Sequence, residues 1–337
     1  MKHYTQLGFI VLLLALMVSA AAAANVTTSV NMAAGGGTPP VMMAKWETEP
    51  GAPSLESGDP IHLTAGSQFM PPATFEGAKW LNYYAVVTDA ENNGNVQMTY
   101  ADVYHPDGTF KYQIHFTKMD KADGIAALNA VKNIGLLKLG PGSADAAFVL
   151  NELNKETAAV WMGTAEIHYC QPDGNYRVEV RAIDMNQNPS AWLINTFYYV
   201  PVTAAEYDFS AVNYGSVSMG APAIWRAGDT LFSNGDGKPT VRNVGNTKLN
   251  IKINQTDMGF GKDVTGAWNV KFDARLGHTS VEPLYDPFTD HVLLDTLDRS
   301  HTDELDFSIH VVKGFDSHNG TMTLSVLNPE TPVAPAQ

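Results

Sequence analysis

Three short segments of this sequence carry closely spaced oxygen-bearing side chains, each in a polar stretch that follows or lies between apolar runs. Carboxylate and amide oxygens are the ligands that calcium prefers in proteins. The candidate calcium ligands are Asp89, Asp184, Asn186, Asn188 and Asp236. The same residue types also form ordinary turns. The segment that begins at Asp184 lacks the glycine at the sixth position and the acid at the twelfth that a helix–loop–helix calcium site requires.

Other metal and thiol chemistry has weaker support. Cys170 is the single cysteine, which excludes an intramolecular disulfide and leaves only pairing between two chains. His168 lies two positions earlier, so the two side chains would share one face of a strand and could bind a soft metal ion. Ordinary packing of both side chains is the simpler interpretation. Of the ten histidines, no two form the His-x-x-x-His pair of a helical zinc site.

No motif for covalent or phosphoryl-transfer catalysis is present. The sequence has no Gly-x-Ser-x-Gly elbow and no glycine-rich phosphate loop between a strand and a helix. Its acidic residues are scattered, so no glycosidase pair of carboxylates stands out. The sequence therefore predicts a protein that is not an enzyme.

The N-terminal 24 residues have the pattern of a secretory signal peptide. A polar, positively charged start precedes the apolar run Leu7–Met17 and the small residues Ser19–Ala24. The apolar run is short for a transmembrane anchor. The mature chain is therefore predicted to be secreted, in the extracellular space or at the cell surface. There the Asn-x-Thr sequons at Asn25, Asn254 and Asn319 are candidate glycosylation sites.

The net charge of the 337-residue chain is −14. A surface this acidic repels phosphate backbones, so we expect no nucleic-acid partner. Hydrophobic residues make up 45% of the chain and charged residues 17%, which is enough apolar surface for real cores. No second apolar run approaches membrane-spanning length, so no membrane span is expected in the mature chain.

Short alternating segments separated by turn residues predict an all-β fold of two β-sandwich domains, the first with a small α-helical insert. The predicted divisions are a signal peptide at 1–24, a flexible leader at 25–40, a β-sandwich at 41–203 with the helical insert at about 121–158, a second β-sandwich at 208–330 and a tail at 331–337.

Within these domains, alternation predicts which side chains face inward. One such set is Tyr176, Val178, Val180 and Ala182, and another is Phe110, Tyr112, Ile114 and Phe116. The insert is predicted to hold one helix over 122–139 and another over 143–157 that Ser143 caps. The segments 305–314 and 320–327 are predicted to form a closing hairpin.

Two stretches resemble known modules. The segment PDGNYRVEVRAIDMNQNPS at 172–190, with FYYVP at 197–201, resembles the closing strands of immunoglobulin-like domains of secreted proteins. The segment PTVRNVGNTKLNIKINQ at 239–255, with LDFSIHVVKG at 305–314, resembles domains repeated in archaeal and bacterial surface proteins. The chain as a whole resembles archaeal, methanogen-like surface-layer (S-layer) or sheath proteins.

That resemblance implies a structural protein of an extracellular coat, in which copies assemble laterally through their sandwich domains. Because identical acidic chains repel one another, calcium is the expected bridging ion. The alternative is a secreted adhesion module that binds cell-envelope polysaccharide. Its candidate stacking aromatics are Trp80, Tyr83, Tyr84, Trp161, Trp192 and Trp225, which could equally belong to the cores.

We expect the mature chain to begin within a few residues of Asn25, because signal peptidases cleave after a run of small residues. Mass spectrometry of the protein released from its native envelope measures its N-terminus directly. Recovery of surface-located protein that still carries residues 1–24 would contradict this expectation.

Overall fold

The computed structural model describes residues 37–51, 68–72, 74–221, 225–278 and 282–330. The predicted signal peptide, the leader up to residue 36, Asn25 and the 331–337 tail lie outside the described residues. Over the described ranges, no helix is both long enough and apolar enough to cross a membrane. Strands dominate these ranges, and the predicted all-β sandwich fold is confirmed.

Among the described residues, nine strands build the first sandwich. They are β1 (Val41–Thr48), β2 (Gln68–Phe69), β3 (Ala78–Thr88), β4 (Val96–Tyr104), β5 (Phe110–Lys118), β6 (Lys138–Leu139), β7 (Ala158–His168), β8 (Gly174–Asp184) and β9 (Leu193–Tyr199). Their order is β2-β9-β8-β4-β5-β7-β3-β1-β6. Strand β5 pairs with β4 along most of its length but with β7 only at Thr117 and Lys118. The sheet therefore folds over at β5 into two facing layers.

Aromatic rings fill much of the space between these layers. Phe197 of β9 stacks on Tyr176 of β8 with ring centroids 4.9 Å apart, and Tyr83 of β3 meets Phe197 edge-on. All three are completely buried. Burying side chains of this size stabilises the fold by roughly 1.5–3 kcal/mol each. The predicted inward set on β8, which includes Tyr176, is confirmed, because every member has zero exposure.

The predicted inward set on β5 is wrong at Phe110. Ile114 and Phe116 are buried, whereas the Phe110 side chain is 57% exposed. A register shift explains the difference, because Val103 pairs with Tyr112 while the next residue, Tyr104, pairs with Phe110. The extra residue on β5 is a β-bulge, which turns the start of the strand outward.

The helical insert covers the outer face of the β7-β3-β1 layer. Helix α1 (Lys121–Val131) and helix α2 (Ala146–Asn154) bury Leu128 and Val149 against Trp46 of β1. The first sandwich thus has a second apolar cluster outside its central core. This third layer explains why seven of the eight residues of β1 are buried.

Both helices are shorter than predicted. After α1, Gly135 adopts a positive φ of 79°, and Lys138–Leu139 then forms β6 against β1. Asp145, rather than Ser143, caps α2, because its carboxylate accepts a hydrogen bond from the Phe148 amide at 2.7 Å. Aspartate is a favourable residue at this position, since it satisfies one of the free amides of the first turn.

The part of the chain that the structure describes contributes seven strands to the second sandwich. They are β10 (Ala205–Tyr207), β11 (Thr240–Asn243), β12 (Leu249–Gln255), β13 (Val270–Leu276), β14 (His291–Leu297), β15 (Thr302–Val311) and β16 (Met322–Leu327). One sheet has the order β10-β11-β15-β13 and the other the order β14-β12-β16. The core lies between them, where Phe272 and Phe307 of one sheet pack with Ile251 and Ile253 of the other.

The predicted closing hairpin does not form. Strand β15 pairs with β11 and β13, whereas β16 pairs with β12 in the opposite sheet. The ten residues between β15 and β16 therefore cross from one sheet to the other. Each strand alternates because one of its faces meets the shared core, and that alternation does not reveal which sheet holds the strand.

A glycine turn holds the connection between the two sandwiches. A Cβ on Gly245 would lie 2.1 Å from the Val202 carbonyl oxygen, so only glycine allows this close approach. The buried Asn246 side chain accepts a hydrogen bond from the Val202 amide at 2.6 Å and donates one to the Val200 carbonyl at 3.0 Å. Strand β10 follows within the segment between the predicted domains.

We expect Asn246→Ala to lower the free energy of unfolding by about 1–3 kcal/mol, because it leaves two buried backbone groups near Val202 without their partner. Urea unfolding monitored by tryptophan fluorescence measures this. The control is Asn234→Ala, in an exposed turn, which should change the value by less than about 0.5 kcal/mol. Equal stabilities of the two variants would contradict the role given to Asn246.

Candidate functional site

Three of the candidate calcium ligands of the first sandwich, Asp89, Asp184 and Asn188, lie in or beside turns and are already hydrogen-bonded. The buried Asp89 carboxylate accepts from the Glu91 amide at 3.0 Å and from Asn95 Nδ2 at 3.2 Å. Burial raises the pKa of Asp89, and the adjacent Glu91 carboxyl adds to the rise. Asp184 has zero exposure and accepts from the Asn188 amide at 2.7 Å and from Asn188 Nδ2 at 2.9 Å.

These two turns come together at one end of the first sandwich. The Met185 amide donates to the Asn95 carbonyl at 2.9 Å. A Cβ on Gly37 would lie 3.0 Å from Asn186 Nδ2 and 3.5 Å from Glu91 Oε1, so both turns border the chain that enters β1. This proximity of the two segments was not predicted from the sequence. Hydrogen bonds within turns account for these side chains, so calcium binding here remains a prediction.

The fifth candidate ligand, Asp236, lies in an exposed turn of the second sandwich. Its carboxylate accepts a hydrogen bond from the Lys238 amide at 2.9 Å, which is an ordinary Asx turn.

The second sandwich also holds a group of metal-ligand type residues that was not predicted from the sequence. Ligand atoms of His278, Glu304 and Asp306 all lie within 4.8 Å of one another. The Asp306 carboxylate, however, accepts from Arg275 Nε at 2.7 Å and from the Gly228 amide at 2.9 Å. A guanidinium on this carboxylate supplies the positive charge that a metal would supply. We therefore interpret the group as an ion-pair network.

The two described sequons differ in accessibility. Asn254 lies in β12, and its Nδ2, the atom that a glycan would modify, donates to Asp290 at 2.8 Å. Asn319 is exposed in the loop before β16. Glycosylation is therefore geometrically easier at Asn319 than at Asn254.

Most of the candidate sugar-stacking aromatics lack a free ring face. Tyr83 and Trp161 are buried, and Tyr84 stacks on Trp46 with centroids 4.9 Å apart. The guanidinium of Arg181 covers the ring of Trp192 at 4.6 Å. Trp225 is covered in the same way by Arg275, while Trp80 is 53% exposed.

A groove in the second sandwich has a cavity volume of about 880 Å³. One wall is the loop 210–217 and the other is the loop 314–322, which connects β15 to β16. The floor holds Tyr214 and Gln255, whose hydroxyl and amide groups lie 3.3 Å apart. The groove is thus built from long loops carried on a rigid sandwich.

Aromatic and polar side chains together line this groove. The Phe260 and His318 rings stack with centroids 3.8 Å apart, and the Phe315 side chain is 83% exposed at the rim. The polar residues that line the groove include Asn213, Ser216, Asp316, Ser317, Asn319 and Thr321. The exposed Phe315 ring beside amides, hydroxyls and a carboxylate suits a ligand rich in hydroxyl groups.

Two glycines set the shape of the groove wall. A Cβ on Gly314 would lie 2.5 Å from the Phe260 ring, and a Cβ on Gly320 would lie 2.6 Å from Met258 Cγ. Met258 and Asp316 both adopt positive φ angles, of 52° and 67°. Strained backbone of this kind is concentrated at functional sites. A long loop rich in Gly, Asp, Ser and Asn was the available sequence signal for the groove.

Comparisons with known proteins place this chain in no family. No family model matches the sequence, and no curated protein matches it. Among solved structures, the C-terminal domain of the AgI/II polypeptide BspA of Streptococcus agalactiae is similar at 10% identity over 86% of this chain and 100% of that chain, with a TM-score of 0.20. A chain from a structure titled as a chaperone–tip adhesin complex of CFA/I fimbriae biogenesis is similar at 8% identity over 87% of this chain and 91% of that chain, with a TM-score of 0.25. These TM-scores are too low to support an argument about this protein.

We expect Asp184→Ala to lower the free energy of unfolding by about 1–3 kcal/mol in the presence of a calcium chelator, because its hydrogen bonds to Asn188 require no cation. Asp236→Ala, in an exposed turn, is the matched control and should change the value by less than about 0.5 kcal/mol. Urea unfolding curves with chelator and with calcium measure both. A loss of stability in Asp184→Ala that appears only when calcium is present would contradict the structural role and favour a bound ion.

Proposed function

We propose that this protein is an extracellular adhesion-type module that binds a carbohydrate polymer in the groove of its second sandwich. The observation that carries the proposal is the groove itself, whose lining combines the exposed Phe315 ring with amide, hydroxyl and carboxylate groups. The N-terminal signal pattern supports a location outside the cell.

Binding without turnover fits the groove better than hydrolysis. Glycosidases generally use a pair of carboxyl groups on either side of the bond that they cleave. Among the described residues that line the groove, Asp316 is the one carboxylate. We therefore propose a binding protein and no enzymatic activity.

Phe315→Ala should weaken binding to the recognised polysaccharide about 3- to 10-fold, because an aromatic contact contributes roughly 0.5–1.5 kcal/mol. The Phe315 side chain is 83% exposed, so its removal should leave the fold intact. Binding to a panel of immobilised glycans and insoluble cell-envelope polysaccharides provides the measurement. Leu231→Ala is the control, because Leu231 is 67% exposed and lies outside the groove lining. An equal effect of both variants, or no binding to any member of the panel, would contradict the proposal.

The second candidate function is a coat protein of the surface-layer or sheath type. Val292 and Leu294 on β14 are 39% and 62% exposed, an apolar pair on an outer strand of the three-stranded sheet. Exposed apolar residues on an edge strand favour contacts between copies. Calcium would bridge the acidic chains in such a coat.

If copies assemble through β14, Leu294→Lys should abolish the calcium-dependent rise in light scattering of the purified protein. Leu231→Lys places the same charge on another exposed leucine and should assemble like the wild type. Scattering that is unchanged by calcium and by chelator at fixed ionic strength would rule out calcium bridging. Assembly of Leu294→Lys at wild-type levels would rule out the β14 contact.

A further inference from the structure

The inner face of β1 carries two ionisable side chains where apolar residues would be expected. Lys45 and Glu47 alternate with Trp46 along the strand, and both have side chains with zero exposure between the two layers of the first sandwich. Asn195 faces them from β9 in the opposite layer and is 7% exposed. These residues belong to the first and last strands of the sandwich.

The three side chains are in mutual contact. Lys45 Nζ lies 2.9 Å from Glu47 Oε1 and contacts Asn195 Oδ1. Asn195 Nδ2 donates to Glu47 Oε2 at 2.7 Å. Lys45 Nζ also donates to the Val178 carbonyl at 2.9 Å. One carboxylate therefore touches both the amine nitrogen of the lysine and the amide nitrogen of the asparagine.

Burial prepares this lysine to act as a nucleophile. Desolvation lowers the pKa of Lys45, although the Glu47 carboxylate acts in the opposite direction. The lower pKa increases the fraction of Lys45 that is a neutral amine. Water has no access to these groups, because Lys45, Glu47 and the nearby Tyr83 all have zero exposure, and the same burial raises the pKa of Tyr83 well above its ordinary value. A neutral amine held against a carboxamide, with water excluded, has the arrangement needed for acyl transfer.

We propose that Lys45 and Asn195 become joined by an intramolecular isopeptide bond, and that Glu47 transfers the proton. Lys45 Nζ forms a bond to Cγ of Asn195, and Glu47 accepts the proton that the attacking nitrogen releases. Glu47 then delivers this proton to Nδ2, the Cγ–Nδ2 bond breaks, and ammonia leaves. The products are one secondary amide and one ammonia molecule. No electrons are transferred and no co-reactant is consumed.

The position of Glu47 suits this proton transfer, because Oε1 meets the attacking nitrogen and Oε2 meets the departing one. The bond would join residues 150 positions apart and link the two layers of the sandwich. Pulling on the chain would then load a covalent bond rather than the hydrogen bonds of β1 and β9. This inference concerns the first sandwich and does not depend on the groove of the second.

Mass spectrometry of the full chain tests the proposal. The wild-type protein should weigh less than its sequence mass, after allowance for any N-terminal cleavage, by the mass of one ammonia molecule. A tryptic digest should contain a branched peptide in which the segment with Lys45 is joined to the segment with Asn195. In boiled detergent gels the wild type should migrate faster than an unlinked variant, because the linked chain stays more compact.

Three variants assign the chemistry. Lys45→Met should show the full mass expected from its sequence, with no loss of ammonia and no branched peptide. Glu47→Gln should give the same result although both reacting residues are present. Lys79→Met is the matched control, because Lys79 also pairs with a glutamate, Glu49, but is partly exposed. It should remain linked. The branched peptide in the wild-type digest tests whether the bond forms, even if Lys45→Met fails to fold.

A wild-type protein of full mass, with unmodified peptides for Lys45 and Asn195, would overturn the proposal. Loss of ammonia that persists in Lys45→Met would also overturn it, because cyclisation of an asparagine elsewhere would then be the cause. A branched peptide that still forms in Glu47→Gln would leave the bond but remove Glu47 as the proton carrier.

Discussion

The first sandwich is organised around two charged groups that cannot reach water. Removing Lys45 and Glu47 from solvent costs several kcal/mol for each ion, and only close partners offset that cost. Those partners come from both layers, since β1 supplies the ion pair while Asn195 and the Val178 carbonyl come from the opposite sheet. A slip of β1 by one residue would turn both charges toward the helices and bring Trp46 into the core. The ion pair therefore fixes the register of β1 relative to the opposite layer.

The strands of each sandwich are rigid, and the loops that connect them lie at the ends of the sheets. The groove of the second sandwich lies between loops whose separation is set by the strands that carry them. Gly314 and Gly320 let one loop press against Phe260 and Met258, so the wall is shaped by backbone contact as well as by side chains. A ligand would thus meet groups that are already positioned, which reduces the entropy lost on binding.

Much of the fold follows from sequence, and the exceptions have physical reasons. Alternation identified β8, because every inward residue from Tyr176 to Ala182 is apolar. It gives no such signal on β1, where charged residues occupy the inward positions, and no propensity predicts a buried lysine. It failed for β15 and β16, because alternation does not tell which sheet a strand joins. For the site, polar turns were predicted from composition, but the groove depends on loops that meet only in three dimensions.

The cysteine content of the chain indicates what the buried cluster of Lys45, Glu47 and Asn195 would contribute to stability. Proteins exported to oxidising surroundings commonly gain stability from disulfides, whereas this chain has one cysteine and can form none internally. A covalent link between Lys45 and Asn195 would serve the same end, since joining distant residues restricts the unfolded chain. It would also remove the cost of keeping an ammonium in a dry core, because an amide carries no charge. The reaction would then replace the buried charge of Lys45, which is costly to desolvate, with a covalent bond that holds the two layers of the core together.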